Sequence, residues 1–485
     1  MRALPSASWP RTNAVEITSN AFRKQAAQAL QDADLQGALQ NLKRGFQEKR
    51  ARAVARLPEF EDLQDHAVAI KDHTLRLLDF YLERFEREVV TKGGSVHWCR
   101  TSDEARETVL SICKAADVKT VVKGKSMVAE EIAINDFLVA NGIEPIETDL
   151  GEYIIQLRNE PPSHIIAPAI HLKRSQIADT FRKNHGDFPS DRKLEEPREL
   201  VDEARQIMRK RFLSADAGIT GANLLIAETG SVVLLSNEGN IDLSRALPRV
   251  HIVIASIEKV VPTLRDATVI LRLLSRAATG QEAATYTSFV SGPRQAGEVD
   301  GPEAFHVLLL DNGRSDLLKS EFEEMLRCIR CGACLNHCPV YGVTGGHAYG
   351  SVYTGPMGAV LTPLLEGLDK AAPLPNASTF CGRCEEVCPM KIPLVSLLRR
   401  LRERQWRQRK TSFPSRLSLV LWAFFAKRPA IYHSLSSLLV RLLRVCRKRG
   451  WISIWPKAGG WGARFPALGH TTFQAAWRGR KEKKE

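Results

Sequence analysis

The sequence predicts an α/β domain on a largely parallel sheet, preceded by helices and followed by a small cysteine-bearing module and a basic helical tail. Three observations carry that prediction. Short β-branched runs alternate with helical segments through the middle of the chain, seven of the ten cysteines crowd between Cys328 and Cys388, and basic residues accumulate after Pro393. At 485 residues, 44% hydrophobic and 26% charged, the chain is long enough for two or three units with sizeable cores. Cysteines are then not needed as staples for a small fold.

Taken in order, residues 13–60 are rich in Ala, Leu, Gln and Arg and predict helices. From His66 to Val90 the apolar residues recur at helical spacing, which predicts one long amphipathic helix. The runs VKTVV at 118–122, IEPIE at 143–147 and HIIAPA at 164–169 predict strands, with helices over Met127–Asn141 and Ser175–Arg182 between them. A helix at 197–212 and strands at 223–228, 231–236, 251–256 and 306–311 follow. Such alternation argues for parallel pairing, and the turn at Thr229-Gly230 adds an antiparallel hairpin. Asp311-Asn312-Gly313 is a turn signal that closes the domain, and a helix over about 316–327 leads to the cysteines. The expected units are a helical region 1–65, an α/β domain 66–313, a cysteine module 314–396 and a basic extension 397–485.

The formal net charge of +14 is concentrated in one place. From Arg399 onward 22 Lys and Arg face 3 Asp and Glu, so the rest of the chain is mildly acidic. The longest apolar run there, Leu417–Ala426, is 10 residues, short of the ~20 that span a bilayer. No transmembrane segment is expected. The first thirty residues lack an apolar core of the signal-peptide kind, and thiols that must stay reduced fit the cytoplasm. The tail alternates Arg with Leu and Trp, which suits amphipathic helices on a membrane surface or a partner better than nucleic acid.

Cys328, Cys331, Cys334 and Cys338-Pro339 form C-x2-C-x2-C-x3-C-P without deviation. Two-residue gaps let three thiolates converge on one cubane, while the fourth cysteine, one helical turn on, ligates the other cluster. A second half, Cys381, Cys384 and Cys388-Pro389, repeats the pattern with Ser378 where its first cysteine would stand. Crossed ligation assigns Cys328, Cys331, Cys334 and Cys388 to cluster one. Cluster two receives Cys338, Cys381 and Cys384 and is one thiolate short. It is either a three-iron cluster or a four-iron cluster with a non-cysteine ligand, for which Ser378 is a candidate. Structural zinc explains neither the third cysteine at x2 nor the paired C-x3-C-P endings. Two such clusters pass single electrons. Isolated Cys99, Cys113 and Cys446 read as core or incidental thiols.

Elsewhere the signals are weaker. Lys123-Gly-Lys-Ser-Met127 follows a predicted strand and opens a helix, so it could meet an anion, though it lacks the Walker pattern. Asp149, Glu152 and His171 sit near strand ends, and Glu228-Thr-Gly230 and Asn237-Glu-Gly-Asn240 form polar turns around one strand. No GxGxxG follows a strand, which argues against a dinucleotide site.

KGKSMVAEEI at 123–132, ETDLGEYIIQL at 147–157, PSHIIAPAIH at 162–171, ITGANLLIAETGSVVLLSNEGN at 219–240 and the cysteine module together resemble the lactate utilization protein B family. The resemblance runs over roughly residues 15–400. It implies an α/β LUD domain with a mixed sheet similar to cyclo-ligase and CoA-transferase-like folds, beside a ferredoxin-like all-α two-cluster module. It also implies that all seven clustered cysteines hold two 4Fe-4S clusters, the second with a 3Fe-4S alternative. Function is then electron transfer, with two companion proteins, in oxidation of L-lactate to pyruvate. A transferase- or ligase-type enzyme with regulatory clusters is the alternative. The resemblance transfers no catalytic residue. The expected location is cytoplasmic, with peripheral contact to the inner face of the membrane through the tail.

Overall fold

The computed structural model describes residues 17–40, 42–189, 191–411 and 413–445, with 447–448, 451–452, 465–466 and 472–481 beyond them. They form two compact units, divided after Gln405. In the first, the strands are β1 (Ser95–Cys99), β2 (Thr120–Lys123), β3 (Glu144–Glu147), β4 (Ala217–Thr220), β5 (Leu224–Ile226), β6 (Ser231–Ser236), β7 (Val250–Ser256), β8 (Val260–Val261), β9 (Tyr286–Val290) and β10 (Ala304–Leu310).

Six of these make one sheet in the order β1-β10-β7-β4-β2-β3, with every pair parallel. Parallel strands need crossovers, and helices then cover both faces. That is why VHIVIAS of β7 is buried at every position and reads as a continuous run. A second, mixed sheet runs β8-β5-β6-β9, and its β5–β6 hairpin turns at Thr229-Gly230 as the sequence predicts. The carboxyl ends of β2, β3, β4, β7 and β10 lie along one edge of the parallel sheet, where open α/β sheets place their ligands.

Four expectations change. The helix over His66–Val90 is two helices, Phe60–Arg76 and Leu78–Thr91, broken at Leu77 (φ −122°, ψ 36°). The break turns the apolar stripe from one core, with Phe60, Ala67 and Ile70, to another, with Tyr81, Phe85 and Val89. Met127–Asn141 is likewise split, into Met127–Glu131 and Ile134–Ala140, by Ala133 at φ 48°. HIIAPA is not a strand. Pro168 has no N–H to give a ladder, and the His164 ring takes the Ile166 and Ala167 amides at 3.0 and 3.1 Å, curling the chain. The helix over 316–327 is two 3₁₀ turns, Ser315–Leu317 and Glu323–Arg327, because Lys319 turns at φ 57° and lets Leu317, Phe322, Met325 and Leu326 all reach the core. The strands β1, β4, β8 and β9 have no counterpart in the sequence reading.

In the second unit, helices Phe413–Ala426 and Pro429–Val445 leave Leu421, Trp422, Leu438 and Leu439 exposed. Among the described residues no helix is long and apolar enough to cross a membrane.

Candidate functional site

The two halves of the cysteine module fold alike. Arg330 and Phe380 stand at φ 60° and 56°, and Gly332 and Gly382 follow at 74° and 81°. Each glycine opens a short helix, Ala333–Asn336 or Arg383–Glu386, that carries Cys334 or Cys384. Cys338 and Cys388 follow, each before a proline. A Cβ on Gly332 would also meet the Ile166 side chain at 3.2 Å, so the small residue lets the curled 164–169 segment pack on the module.

This backbone sorts the sulfurs. Cys328, Cys331 and Cys334 share one interior space with Cys388 of the second half, closed in by Met357 and Met390. Cys338 has Cys381 as its charged neighbour, and Cys384 has Cys338 and Cys381. Burial, then the neighbouring thiols, pushes Cys331 and Cys384 up to about 12. Burial pushes Cys388 up to about 11. Thiols crowded this way ionise together only around positive charge, which is the donor chemistry of an iron–sulfur core.

A single zinc ion fits less well. Zinc–thiolate bonds of ~2.3 Å put tetrahedral sulfurs under about 4 Å apart. Among the described residues no three of these sulfurs lie within 4.8 Å of one another. Cys381 is exposed, whereas Cys331, Cys338, Cys384 and Cys388 are buried. Ser378 accepts the Phe380 amide at 3.1 Å and so shapes the turn where the first half has Cys328. The N-terminal helices brace the module through Arg50 to Val387 O (3.0 Å) and Gln64 to Cys388 O (3.0 Å).

A second feature lies at the strand ends. A cavity of about 270 Å³ is walled by Lys125 and Ser126 after β2, Asn223 after β4 and Lys259 after β7, and by Ile329 and Arg330 of the cysteine loop. The LUD-like segments and the space of the four cysteines therefore share a wall: Arg330 borders both. Gly221 is needed here, since a Cβ would come within 2.7 Å of Ser126 Oγ.

Comparison with known proteins agrees with this division. A LUD domain model matches residues 82–310 and a 4Fe-4S dicluster domain model matches 324–392. The chain is 43% identical over 423 residues to lactate utilization protein B of Bacillus velezensis, covering 86% of this chain and 88% of that one. It is 40% identical over 476 residues to lactate utilization protein B of Bacillus licheniformis, covering 97% and 99%. The chain belongs to the lactate utilization protein B family. A crystal structure of a DUF162 family protein from Deinococcus radiodurans aligns over 48% of this chain and 98% of its own, at 14% identity and a TM-score of 0.28. The dicluster match and the cysteine-rich region together support bound iron–sulfur clusters in this family member.

The other residues singled out in the sequence separate into four groups. Lys123 does not face an anion. It is wholly buried and pairs with Glu130 at 2.7 Å and Glu147 at 2.8 Å, with Glu152 at 3.9 Å. Burial works to lower its pKa, but the three carboxylates hold it well above the usual lysine range. Lys125, Asp149 and the Asn237–Asn240 turn do reach the cavity, and Lys125 lies 3.8 Å from Asp149. His171 instead bonds Glu160 at 2.9 Å, and Glu228 caps the Leu264 amide at 3.1 Å, which is plain turn chemistry. Cys99 and Cys113 are buried core thiols; Cys446 lies outside the described residues.

Sequence reasoning missed a buried ion chain joining the sheet to the cysteine loop. Arg314 pairs with Glu131 at 2.6 Å and with Glu258 at 3.1 Å, and Glu258 pairs in turn with Arg330 at 3.1 Å. Burial works to raise Glu258, yet Arg314 and Arg330 hold it down to about 2. The available signal was position: Glu258 and Lys259 come just after the seven-residue strand β7, at its carboxyl end.

Proposed function

We propose that this chain is an iron–sulfur electron-transfer subunit acting with two companion proteins in the oxidation of L-lactate to pyruvate. The observation that carries the reading is the space lined jointly by Cys328, Cys331, Cys334 and Cys388, residues of two separated half-motifs. It supports a 4Fe-4S cluster one on those four cysteines, and the mutual proximity of Cys338, Cys381 and Cys384 supports a cluster two on them. When bound, such clusters supply one-electron transfer, which suits a substrate that gives up two electrons and two protons. Buried Cys331 and exposed Cys381 then mark an inner and an outer end of the module.

The relatives' names point to lactate utilization. The proposed units are the helical region 1–65, the LUD domain 66–313, the two-cluster module 314–396 and the basic extension 397–485. In the extension, exposed Leu421, Trp422, Leu438 and Leu439 with neighbouring Arg416, Lys427, Arg428 and Arg441 favour peripheral contact with an anionic cytoplasmic membrane face. Co-sedimentation with anionic vesicles, lost in a chain ending at Gln405, is the expected result.

The test of function is anaerobic. The chain alone, and with its companions, is given L-lactate while the visible absorbance of the clusters is followed. Bleaching only with the companions is the expected result; no bleaching in an intact, cluster-replete assembly would remove lactate from the account. Cys388→Ala is expected to abolish the paramagnetic signal of cluster one and spare that of cluster two. Loss of cluster two instead would overturn the crossed assignment. The strand-end cavity keeps a second reading in view, a LUD transferase or ligase with regulatory clusters, which a nucleotide or CoA requirement of the purified chain would favour.

A further inference from the structure

The cavity at the strand ends is lined by two cationic side chains, Lys259 and Arg330, with hydrogen-bond donors that the protein does not engage. Lys259 is 6% exposed and, among the described residues, its ammonium has no hydrogen-bonded partner. Arg330 spends one nitrogen on Glu258 at 3.1 Å, and its Nη1 is buried without a partner. A buried donor such as Arg330 Nη1 is rare because an unmade hydrogen bond to a charged group is costly. Both side chains line the cavity, beside hydroxyl and amide groups of Ser126, Asn223 and Ser275.

Two acidic side chains in the same lining restrict what enters. Asp149 and Glu238 face the same space, and of the cavity cations only Lys125 lies near them, 3.8 Å from Asp149. Repulsion there scales with the charge of the anion, so a singly charged one with neutral oxygens is disfavoured far less than one of high charge. We propose that this cavity binds a small hydroxy- or oxo-carboxylate, its carboxylate held between Lys259 and Arg330 and its other oxygens among Ser126, Asn223 and Ser275. The choice of carboxylate rests on the function proposed above; the site itself rests on the unpartnered cations. Arg330 also borders the space of Cys328, Cys331, Cys334 and Cys388, so a ligand on its guanidinium sits beside cluster one.

The experiment uses the full, cluster-replete chain without companions, under anaerobic conditions. Pyruvate and L-lactate are titrated calorimetrically, with inorganic phosphate in parallel, and the paramagnetic signal of reduced cluster one is recorded with and without pyruvate. Saturable binding of both acids, weak binding of phosphate and a changed signal are expected. Lys259→Met should weaken binding at least tenfold with iron content unchanged. Ser275→Leu, which fills the cavity with every charge intact, should abolish binding, and it decides the matter should Lys259→Met fail to fold. No saturable binding, binding that survives both substitutions, or phosphate bound as tightly as pyruvate would overturn the proposal. Cluster bleaching by the full assembly with no binding to the lone chain would sink this inference alone. Binding to the lone chain with no bleaching in the assembly would sink the electron-transfer reading and leave the site standing.

Discussion

Two buried charge clusters occupy the same edge of the parallel sheet and carry opposite surpluses. At the ends of β2 and β3 one lysine, Lys123, faces Glu130, Glu147 and Glu152. At the ends of β7 and β10 the carboxylates Glu131 and Glu258 face Arg314 and Arg330, with Lys71 and Lys259 beside them. An uncompensated charge in the interior is costly, so each surplus needs an answer. The acidic set answers with a proton: burial raises Glu147, and burial together with Glu147 raises Glu152 further. The basic set borders Cys328, and anionic thiolate charge around a cluster offsets part of it, the remainder facing the strand-end cavity through Lys259 and Arg330. One edge of the sheet is thus divided between a proton-holding corner and a corner that faces the cysteines.

Removing the central ion of each set breaks the comparison most directly. Lys123→Met leaves three carboxylates without a cation, and a loss of about 3–5 kcal/mol is expected in denaturant unfolding. Its cluster spectra should stay native in the folded fraction, since no cysteine faces Lys123. Glu258→Gln keeps the shape of the ion chain but strands Arg330 and leaves Arg314 with Glu131 alone, for an expected loss of about 2–3 kcal/mol. Here the paramagnetic signal of cluster one should change as well. A Glu258→Gln protein with native stability and signal would show that the basic set is not a network.

Much of this architecture was legible in the sequence, and the reasons are local. HIVIAS and SVVLLS are apolar at nearly every position because those strands are covered on both sides, and the cysteine spacing is fixed by the geometry of a cubane. What escaped depends on tertiary context. HIIAPA has strand composition, yet a histidine ring and a proline curl it. SVHWC of β1 is a half-exposed edge strand and gives a weak pattern. Lys123 looked like an anion ligand because its three carboxylates come from later segments, at 130, 147 and 152. Arg330 was hidden inside the cysteine motif, and Lys259 and Arg314 acquire meaning only when strands distant in sequence end side by side.

The gentlest change sharpens the acidic side of the comparison. Glu152 has both carboxylate oxygens buried without a hydrogen-bond donor, and burial with Glu147 beside it holds its pKa well above the ordinary value. The folded chain then keeps a proton that the unfolded chain releases near pH ~4.3. That contribution is fully present below the unfolded value and is lost as pH rises through the folded one. Glu152→Gln supplies the neutral form permanently. It is expected to flatten the decline of stability with rising pH and to add about 1–2 kcal/mol at the alkaline end, where a buried ionic group is replaced by a neutral isostere. Thermal unfolding of both proteins across the pH range in which the clusters stay bound measures the difference. A Glu152→Gln protein that is less stable at every pH would mean that the carboxylate is ionised and held by Lys123, and the two corners of the sheet would then both be balanced by ion pairs alone.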